Sequence, residues 1–484
     1  MSISTVKYIS KLLVSKGITA INEDLLKEFI IDEGIEEKVV SIIKLQEEIM
    51  DKWIIKSRVI DFNNESIFIP NGTVNTTYKY SFNPLFFSSK HITDFCFSNL
   101  EEIGLSFNKE ENSIEGTPNE SGDFKIIISF KVEGETESGI NNTKEITLVV
   151  NPDPKSLWKD IASDQDAMFW KVDDRSVSGA TAEKKVVISS KRGRSHQNVG
   201  SFRDDDFAFK YFEDSGWSIV AVSDGAGSAT FSRKGSELAC NEVLASFENT
   251  ILENNELKEF EDKINTFKDS KDEFLLEEAK KDGKKVMYKV VVHVHQKLKE
   301  LADTTFQENP EVFNSVKAKD PIEYFHSTLI FTAFKKLEIG YVFLTFGVGD
   351  CPIGIVNKEQ TNATLLNWLD VGEFGGGTRF ITQRDIFHSK ERPMASRFNI
   401  HIQKDFSYLF LMTDGIYDPK FEVEANLEKN EKWMEFIKDL KGNNEDNRGI
   451  NFEETPEEVE KNLNTWMDFW SKGNHDDRTL AIIY

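Results

Sequence analysis

The chain has 484 residues, 39% of them hydrophobic and 12% aromatic, which is enough material for two or three domains with sizeable cores. A formal charge of -24 leaves no bulk basic face and argues against a nucleic-acid partner. The three cysteines, Cys96, Cys240 and Cys351, indicate neither a disulfide framework nor a zinc site, and no apolar run reaches membrane-spanning length. The N-terminal stretch carries no apolar export core with a cleavage site, so the expectation is a cytoplasmic protein that contacts no membrane.

Residues 1–57 place apolar side chains at helical spacing (Val6, Ile9, Leu12, Leu13, then Ile35, Val39, Ile42, Ile43), which predicts a few short helices. Over 58–150 the texture changes to alternating β-branched and aromatic residues broken by Asn, Gly, Ser and Pro, as in SIFIPNGTVNTTYKYSF and EITLVV, and a small β-sandwich is expected. Residues 151–160, opening with NPDPKS, read as a linker. The remainder, 161–484, predicts strands over Lys185–Val222 and a helix from about Arg233 to Phe247. A charged excursion follows over Glu253–Lys285, with Asp282-Gly283 as a turn, and a second long helix runs from Lys284 to Phe306. Strands then return at Ser327–Phe334, Gly340–Phe346 and Ile353–Val356, and strands grouped around long helices indicate a layered α+β sandwich.

Four acidic segments recur in this last region: RDDDF from Arg203, SDGAGS from Ser223, TDGIYD from Thr413 and NHDDRT from Asn474. Asp-Gly alone suits any tight turn. Asp224 and Asp414, however, each directly follow an apolar strand (WSIVAVS and SYLFLMT), Asp350 follows YVFLTF, and Asp476-Asp477 precede the final strand. Carboxylates at several strand ends are expected to converge on one site, where their mutual repulsion calls for a cation. Oxygen-only ligation suits magnesium or manganese, and two such ions about 4 Å apart can activate a bridging water for phosphoester hydrolysis.

The order of these motifs, from about Val186 to Tyr484, resembles the protein phosphatase 2C family of metal-dependent Ser/Thr phosphatases, in particular its divergent bacterial branch. GEFGGGTRFIT (Gly372–Thr382) also looks like the region before that family's third Asp element. The resemblance implies a four-layer α-β-β-α catalytic domain. It further implies that Asp224 bridges two Mg2+ or Mn2+ ions, with the Gly225 carbonyl on the first and Asp414 and Asp476 on the second. Asp204 and Asp205 would bind or orient metal-bound waters, and Asp350 would serve a third, weaker ion. Separately, GLSFNKEENSIEGTPNESGDFKIIISF (Gly104–Phe130), through Gly116-Thr117-Pro118 and Ser121-Gly122, resembles bacterial Ig-like, cadherin-like modules.

The chain departs from the phosphatase pattern at several places. Gly200 stands where many members have a phosphate-clamping Arg, Ala226 where a His often follows the first Asp-Gly, Pro352 replaces an Arg, and Asp477 replaces the usual Asn. His196 is therefore the favoured phosphate ligand, with Arg194 and Arg203 as further candidates. His293 and His295, two apart on a helix, diverge too far to chelate together, and Cys351 reads as a small core residue. In the C-terminal helix Leu463, Trp466, Phe469 and Trp470 share a core-facing stripe.

The expected activity is hydrolysis of phosphoserine and phosphothreonine on proteins, with a phosphoprotein substrate and, by the resemblance, a cognate Ser/Thr kinase as partners. A catalytically weak phosphatase-fold scaffold that binds phosphoprotein is the alternative. A third reading makes the β-sandwich an adhesion module.

Overall fold

The computed structural model of the chain describes all residues except 1–2, 32–33, 137–138, 141, 253–255, 315–317, 371–376 and 391, with only the backbone described at 3–4 and 250–252. The chain divides into two compact units, Met1–Leu157 and Trp158–Tyr484.

In the first unit, helices α1 (Ile3–Ser15), α2 (Glu23–Ile31) and α3 (Ile35–Asn64) share a small core of Ile9, Leu26, Ile30 and Val39. Helix α3 runs past residue 57, where β texture was expected to take over. Val59 and Phe62 continue its helical spacing and pack with the β core that follows, so one face of the last turns is buried. That core lies between a four-stranded and a three-stranded sheet. The first takes the order β1 (Gly72–Thr73), β7 (Asn142–Asn151), β6 (Gly122–Val132), β3 (Ile92–Ser98); the second takes β2 (Tyr78–Ser81), β5 (Ser113–Gly116), β4 (Leu105–Asn108). The short helix α4 (Phe86–Ser89) supplies Phe87, and Ile126, Ile128, Phe130 and Val132 alternate inward along β6.

The second unit has two antiparallel sheets. One has the order β10 (Asp206–Phe212), β11 (Trp217–Ser223), β12 (Leu329–Leu337), β13 (Gly340–Val348), β16 (Phe398–Gln403). The other has β15 (Ala363–Leu365), β14 (Ile353–Asn357), β17 (Phe406–Met412), β18 (Arg478–Ile483), β9 (Lys185–Lys191), β8 (Asp174–Ala180). The period of two sorts each strand between cores. Val220, Val222, Ile330 and Phe343 of the first sheet share a core with Ile188, Ile353, Leu409 and Ile483 of the second. The alternate residues Ile219, Ala221, Phe331 and Leu344 join a core with α6 (Ser232–Ser246), α7 (Glu256–Ser270) and α8 (Glu273–Glu308). Phe410, Met412, Leu480 and Ile482 join one with α9 (Asp414–Phe421), α10 (Asn430–Leu440) and α11 (Pro456–Trp466). Burial on both faces makes these strands read as continuous apolar runs. The unit is a mixed α+β fold.

The charged excursion expected over Glu253–Lys285 is helical where it is described, apart from the break at Lys271-Asp272 between α7 and α8. Leu257, Phe260 and Ile264 are buried at i, i+3 and i+7 of α7, a stripe too thin to stand out among its charges, and α8 begins at Glu273 rather than Lys284. Asp282-Gly283 is accordingly no turn. Gly283 lies inside α8, where a Cβ would come 2.7 Å from Ile400 Cδ1 and 3.0 Å from Leu344 Cδ2, so its missing side chain lets the helix sit close on the sheet. His293 and His295 do diverge on α8, bonding to Glu242 and the Ile381 carbonyl respectively. Helix α11 ends at Trp466, and Trp470 leaves the core to face His475, 4.8 Å between ring centroids. Among the described residues no helix is long and apolar enough to cross a membrane.

Candidate metal centre

The acidic segments meet where strands of both sheets end. Asp206 pairs with Ser223 across β10 and β11, which sets Asp205 beside Asp224. Leu329 pairs with Val348, so Asp350 follows β13 next to the start of β12. Met412 pairs with Leu480, which sets Thr413-Asp414 beside Asp476-Asp477.

Two glycines explain why Asp is followed by Gly. A Cβ on Gly225 would lie 2.6 Å from the Asp204 carbonyl oxygen, and one on Gly415 would lie 1.9 Å from that of Asp477. Each glycine lets two acid-bearing backbones touch. The Asp-Gly signal is thus one of close approach and not of turn conformation, since neither residue has positive φ. Around Asp224, its N–H donates to Thr328 Oγ1 at 2.9 Å and its carbonyl accepts from Thr328 N–H at 2.8 Å. Thr413 begins α9 as its N-cap residue and donates its hydroxyl to Asp205 Oδ2 at 2.8 Å, as does Thr479.

These bonds leave unpaired oxygens. Asp205 Oδ1, Asp350 Oδ1 and Asp414 Oδ1 are buried without a hydrogen-bond partner. Such groups are costly unless something positive faces them. Burial raises the Asp224 carboxyl well above the usual range, and Asp414, Asp205, Asp350 and Asp476 raise it further. Burial does the same to Asp414, helped by Asp476, Asp350 and Asp205. Asp205 and Asp350 are pushed up chiefly by burial, and Asp476 by desolvation and the Asp477 carboxylate. Five carboxylates therefore share one field, offset at Asp476 by the nearby His196, and such crowding is the condition that a divalent cation relieves. Hard oxygens dominate; Cys351, within 4.8 Å of Asp224 and Asp350, has its thiol pushed up by burial and contacts Thr328 Oγ1 at 3.3 Å. The donor set fits magnesium or manganese.

Asp204 belongs to a neighbouring knot with His196 and Asp477. Asp477 accepts from the N–H groups of Gly193 (2.6 Å) and Asp204, and its Oδ1 lies 3.0 Å from His196 Nδ1. Burial opposes charge on this imidazole, but the Asp477 hydrogen bond and the carboxylates of Asp477, Asp204 and Asp476 outweigh it and raise the pKa to about 9. His196 Nε2 is 3.9 Å from Asp204 Oδ2, so its charge is already shared between two acids.

The flanking arginines do not serve as expected. Arg203 is 1% exposed and donates from Nε to the Val172 carbonyl and from one terminal nitrogen to Ser190 Oγ and the Asp205 carbonyl. It braces the acidic loop from below. Arg194 gives its two terminal nitrogens to the Phe469 and Asp468 carbonyls at 3.1 and 2.8 Å and lies over the Trp470 ring. Of the three acids after Arg203, Asp206 is set apart by ion pairs with Lys171 and Arg175, both at 2.9 Å; burial opposes its charge, but Lys171 and the Arg203 guanidinium outweigh it and hold the carboxyl down at about 2.

Sequence reasoning placed Asp204, Asp205, Asp224, Asp350, Asp414 and Asp476 at the site but missed its supports. Asp477 was read as a departure, although it ties Gly193, His196 and Asp204 together. Thr328, Thr413 and Thr479 stand in the motifs that carry the resemblance but were given no role, and Lys171 was not singled out. The Thr beside TDG and in DDRT was the available signal, since a hydroxyl next to a buried acid is a ready donor. Gly372–Gly376 of GEFGGGTRFIT lie outside the described residues; Thr378 donates to Asp350 Oδ2 at 2.7 Å.

Residues 192–468 match the family model of protein phosphatase 2C, and the chain belongs to that family. No curated protein matches the sequence. Among solved structures, a bacterial serine phosphatase is 15% identical with a TM-score of 0.33, covering 62% of this chain and 96% of its own. The serine/threonine phosphatase Stp1 from Staphylococcus aureus is 15% identical with a TM-score of 0.31 (66% and 98%). The catalytic domain of the serine threonine protein phosphatase PstP, in complex with two manganese ions, is 11% identical with a TM-score of 0.32 (64% and 97%).

Proposed function

We propose that this chain is a metal-dependent phosphatase that hydrolyses phosphoserine and phosphothreonine on proteins. The observation that carries this is the set of three orphaned, buried carboxylate oxygens within five mutually repelling acids. Asp224, the Gly225 carbonyl, Asp414 and Asp476 would hold two Mg2+ or Mn2+ ions, with Asp204 and Asp205 ordering their waters and Asp350 serving a third. Bound there, such ions supply an activated water and neutralise phosphate charge. The chain's own part is positional. Thr413 and Thr479 fix one oxygen of Asp205 and leave the other free, Thr328 fixes the backbone of Asp224, and Asp477 holds His196 toward Asp204. His196 remains the proposed contact for the phosphate dianion. The three cores of the second unit are read as the interfaces between the four layers of an α-β-β-α sandwich, with the acids at one edge of its paired sheets.

Residues 1–57 and 58–150, the latter read as an Ig-like module, are proposed to recruit the phosphoprotein or a cognate Ser/Thr kinase. An exposed free thiol at Cys96 agrees with a reducing, cytoplasmic setting.

The test is hydrolysis of p-nitrophenyl phosphate and a phosphothreonine peptide. Activity should require manganese, vanish with chelator and collapse in Asp224→Ala and Asp414→Ala; an inert, manganese-loaded wild type overturns the proposal. One observation favours the alternative, a weakly active phosphoprotein-binding scaffold: both flanking guanidiniums are engaged with backbone carbonyls. That reading requires wild-type protein to bind the phosphopeptide without turning it over.

A further inference from the structure

Helix α3 is a bare shaft. Its first turns pack with α1 and α2 and its last turns with the β core, but every residue from Lys44 to Ile54 is exposed. Those residues are not polar all round. Ile42, Leu45, Ile49, Trp53 and Ile60 are 40%, 57%, 66%, 69% and 49% exposed. At 100° per residue they fall within about 80° of one another, a seam about 27 Å long that is interrupted by Lys56, which lies in the same arc. Isolated helices are marginal in water, and a sustained apolar stripe on one is normally covered.

We infer that the seam is covered by α3 of a second copy of this chain, running antiparallel and centred on Ile49. Three observations select that occupant. First, the centre of the stripe is symmetric about Ile49, with Leu45 four residues before it and Trp53 four after, so reversing the helix places Leu45 of one copy against Trp53 of the other and Ile42 against the apolar stem of Lys56. An isologous contact needs this self-complementarity. Second, the flank beside the seam carries Glu48 and Lys52, which an antiparallel pairing sets within two residues of opposite one another in both directions. In a parallel pairing the same flank meets Gln46 and Met50 and no charges match. Third, the shaft is electrically balanced, with Lys44, Lys52 and Lys56 against Glu47, Glu48 and Asp51, in a chain whose formal charge is -24. Two copies repel least where they approach along this segment.

The measurement is sedimentation velocity on the full chain with manganese, across a concentration series. Wild type should sediment as a dimer and Ile49→Asp as a monomer. Glu48→Lys or Lys52→Glu alone should weaken the dimer by about tenfold or more, because like charges then face each other, and the double swap should restore it. Circular dichroism and phosphatase assays on each variant separate loss of pairing from loss of folding; all of these substitutions lie in the first unit, and the metal centre is built from residues of the second. In a Cys96→Ser background, oxidised Ile49→Cys should link to its copy and Leu45→Cys should not. A wild type that stays monomeric, a double swap that does not restore pairing, or Leu45→Cys linking as readily as Ile49→Cys each overturns the inference. These readouts are independent of whether the chain is a phosphatase.

Discussion

Gly415→Ala tests whether backbone contact, and not the acids alone, builds the metal centre. The added methyl would start 1.9 Å from the Asp477 carbonyl oxygen, 2.9 Å from its carbon and 3.3 Å from the Asp476 carbonyl oxygen. The obstacle is backbone just before the last strand, so no side chain can swing aside. Bringing 1.9 Å out to the 3.0 Å floor for such contacts means parting the start of α9 from the approach to β18 by about 1 Å. That gap separates Asp414 from Asp476, the pair proposed to hold one ion. Misplacement of this size costs on the order of 10²-fold in rate. Overpacking costs about 1–3 kcal/mol, against a gain of up to ~1 kcal/mol from the better helix propensity of Ala, so stability should fall modestly while turnover collapses. Manganese-dependent turnover and thermal melts with and without manganese decide it. If Gly415→Ala keeps wild-type kcat and the same metal-induced rise in Tm, the close-approach argument fails.

Asp414→Asn should make the chelated protein more stable by at least ~1 kcal/mol, because it removes an uncompensated buried charge, and should lose most of the stabilisation by manganese; melts in both conditions read this out. The chelated wild type should also lose stability as pH rises. Burial and Asp477 push the Asp204 carboxyl up to about 7, so between roughly pH 4 and 7 the folded state binds more protons than the unfolded, and each step upward disfavours folding. Tm in chelator should therefore fall from pH 5.5 to 8, with manganese flattening the slope; a rising Tm contradicts the assignment. Gly354→Ala, whose Cβ would meet the Trp433 ring at 2.1 Å, should cost about 1–3 kcal/mol in melts while sparing metal dependence. Gly200→Arg should lower Tm and leave KM for p-nitrophenyl phosphate no better than wild type.

Much of the site was legible because the acids stand next to long apolar strands. SIVAV before Ser223-Asp224 and YLFLM before Thr413-Asp414 are buried on both faces, and such runs report strands and their ends without ambiguity. The helices on the far side were less legible. Leu257, Phe260 and Ile264 are three apolar residues in a segment otherwise charged, and Gly283 looks like a turn until the sheet packed under it is known. The roles of Arg194 and Arg203 were illegible for a different reason. A sequence shows that a guanidinium is near the site but not which carbonyls already hold it, and here those carbonyls come from residues 468–469 and from Val172. Asp477 shows the reverse case, a supposed departure that turns out to anchor three other groups.

The missing clamp has a structural cause. Gly200 ends the short helix α5 (Arg194–Val199) in the left-handed conformation, φ 70 and ψ 25, its N–H bonded back to the Gln197 carbonyl. A side chain there would be strained by its backbone and would start 2.9 Å from Ile161 Cγ2. An arginine at this position would abut Ile161 and strain the cap that ends α5. The loop that could have carried the clamp is spent instead on α5, which delivers His196 to Asp477. Because that imidazole already faces two carboxylates, its charge is largely matched before any phosphate arrives. On the proposed reading, substrate affinity then depends on cations held by the five acids far more than on the protein's own positive groups. KM and metal occupancy should move together in this chain, whereas an independent guanidinium clamp would let them separate.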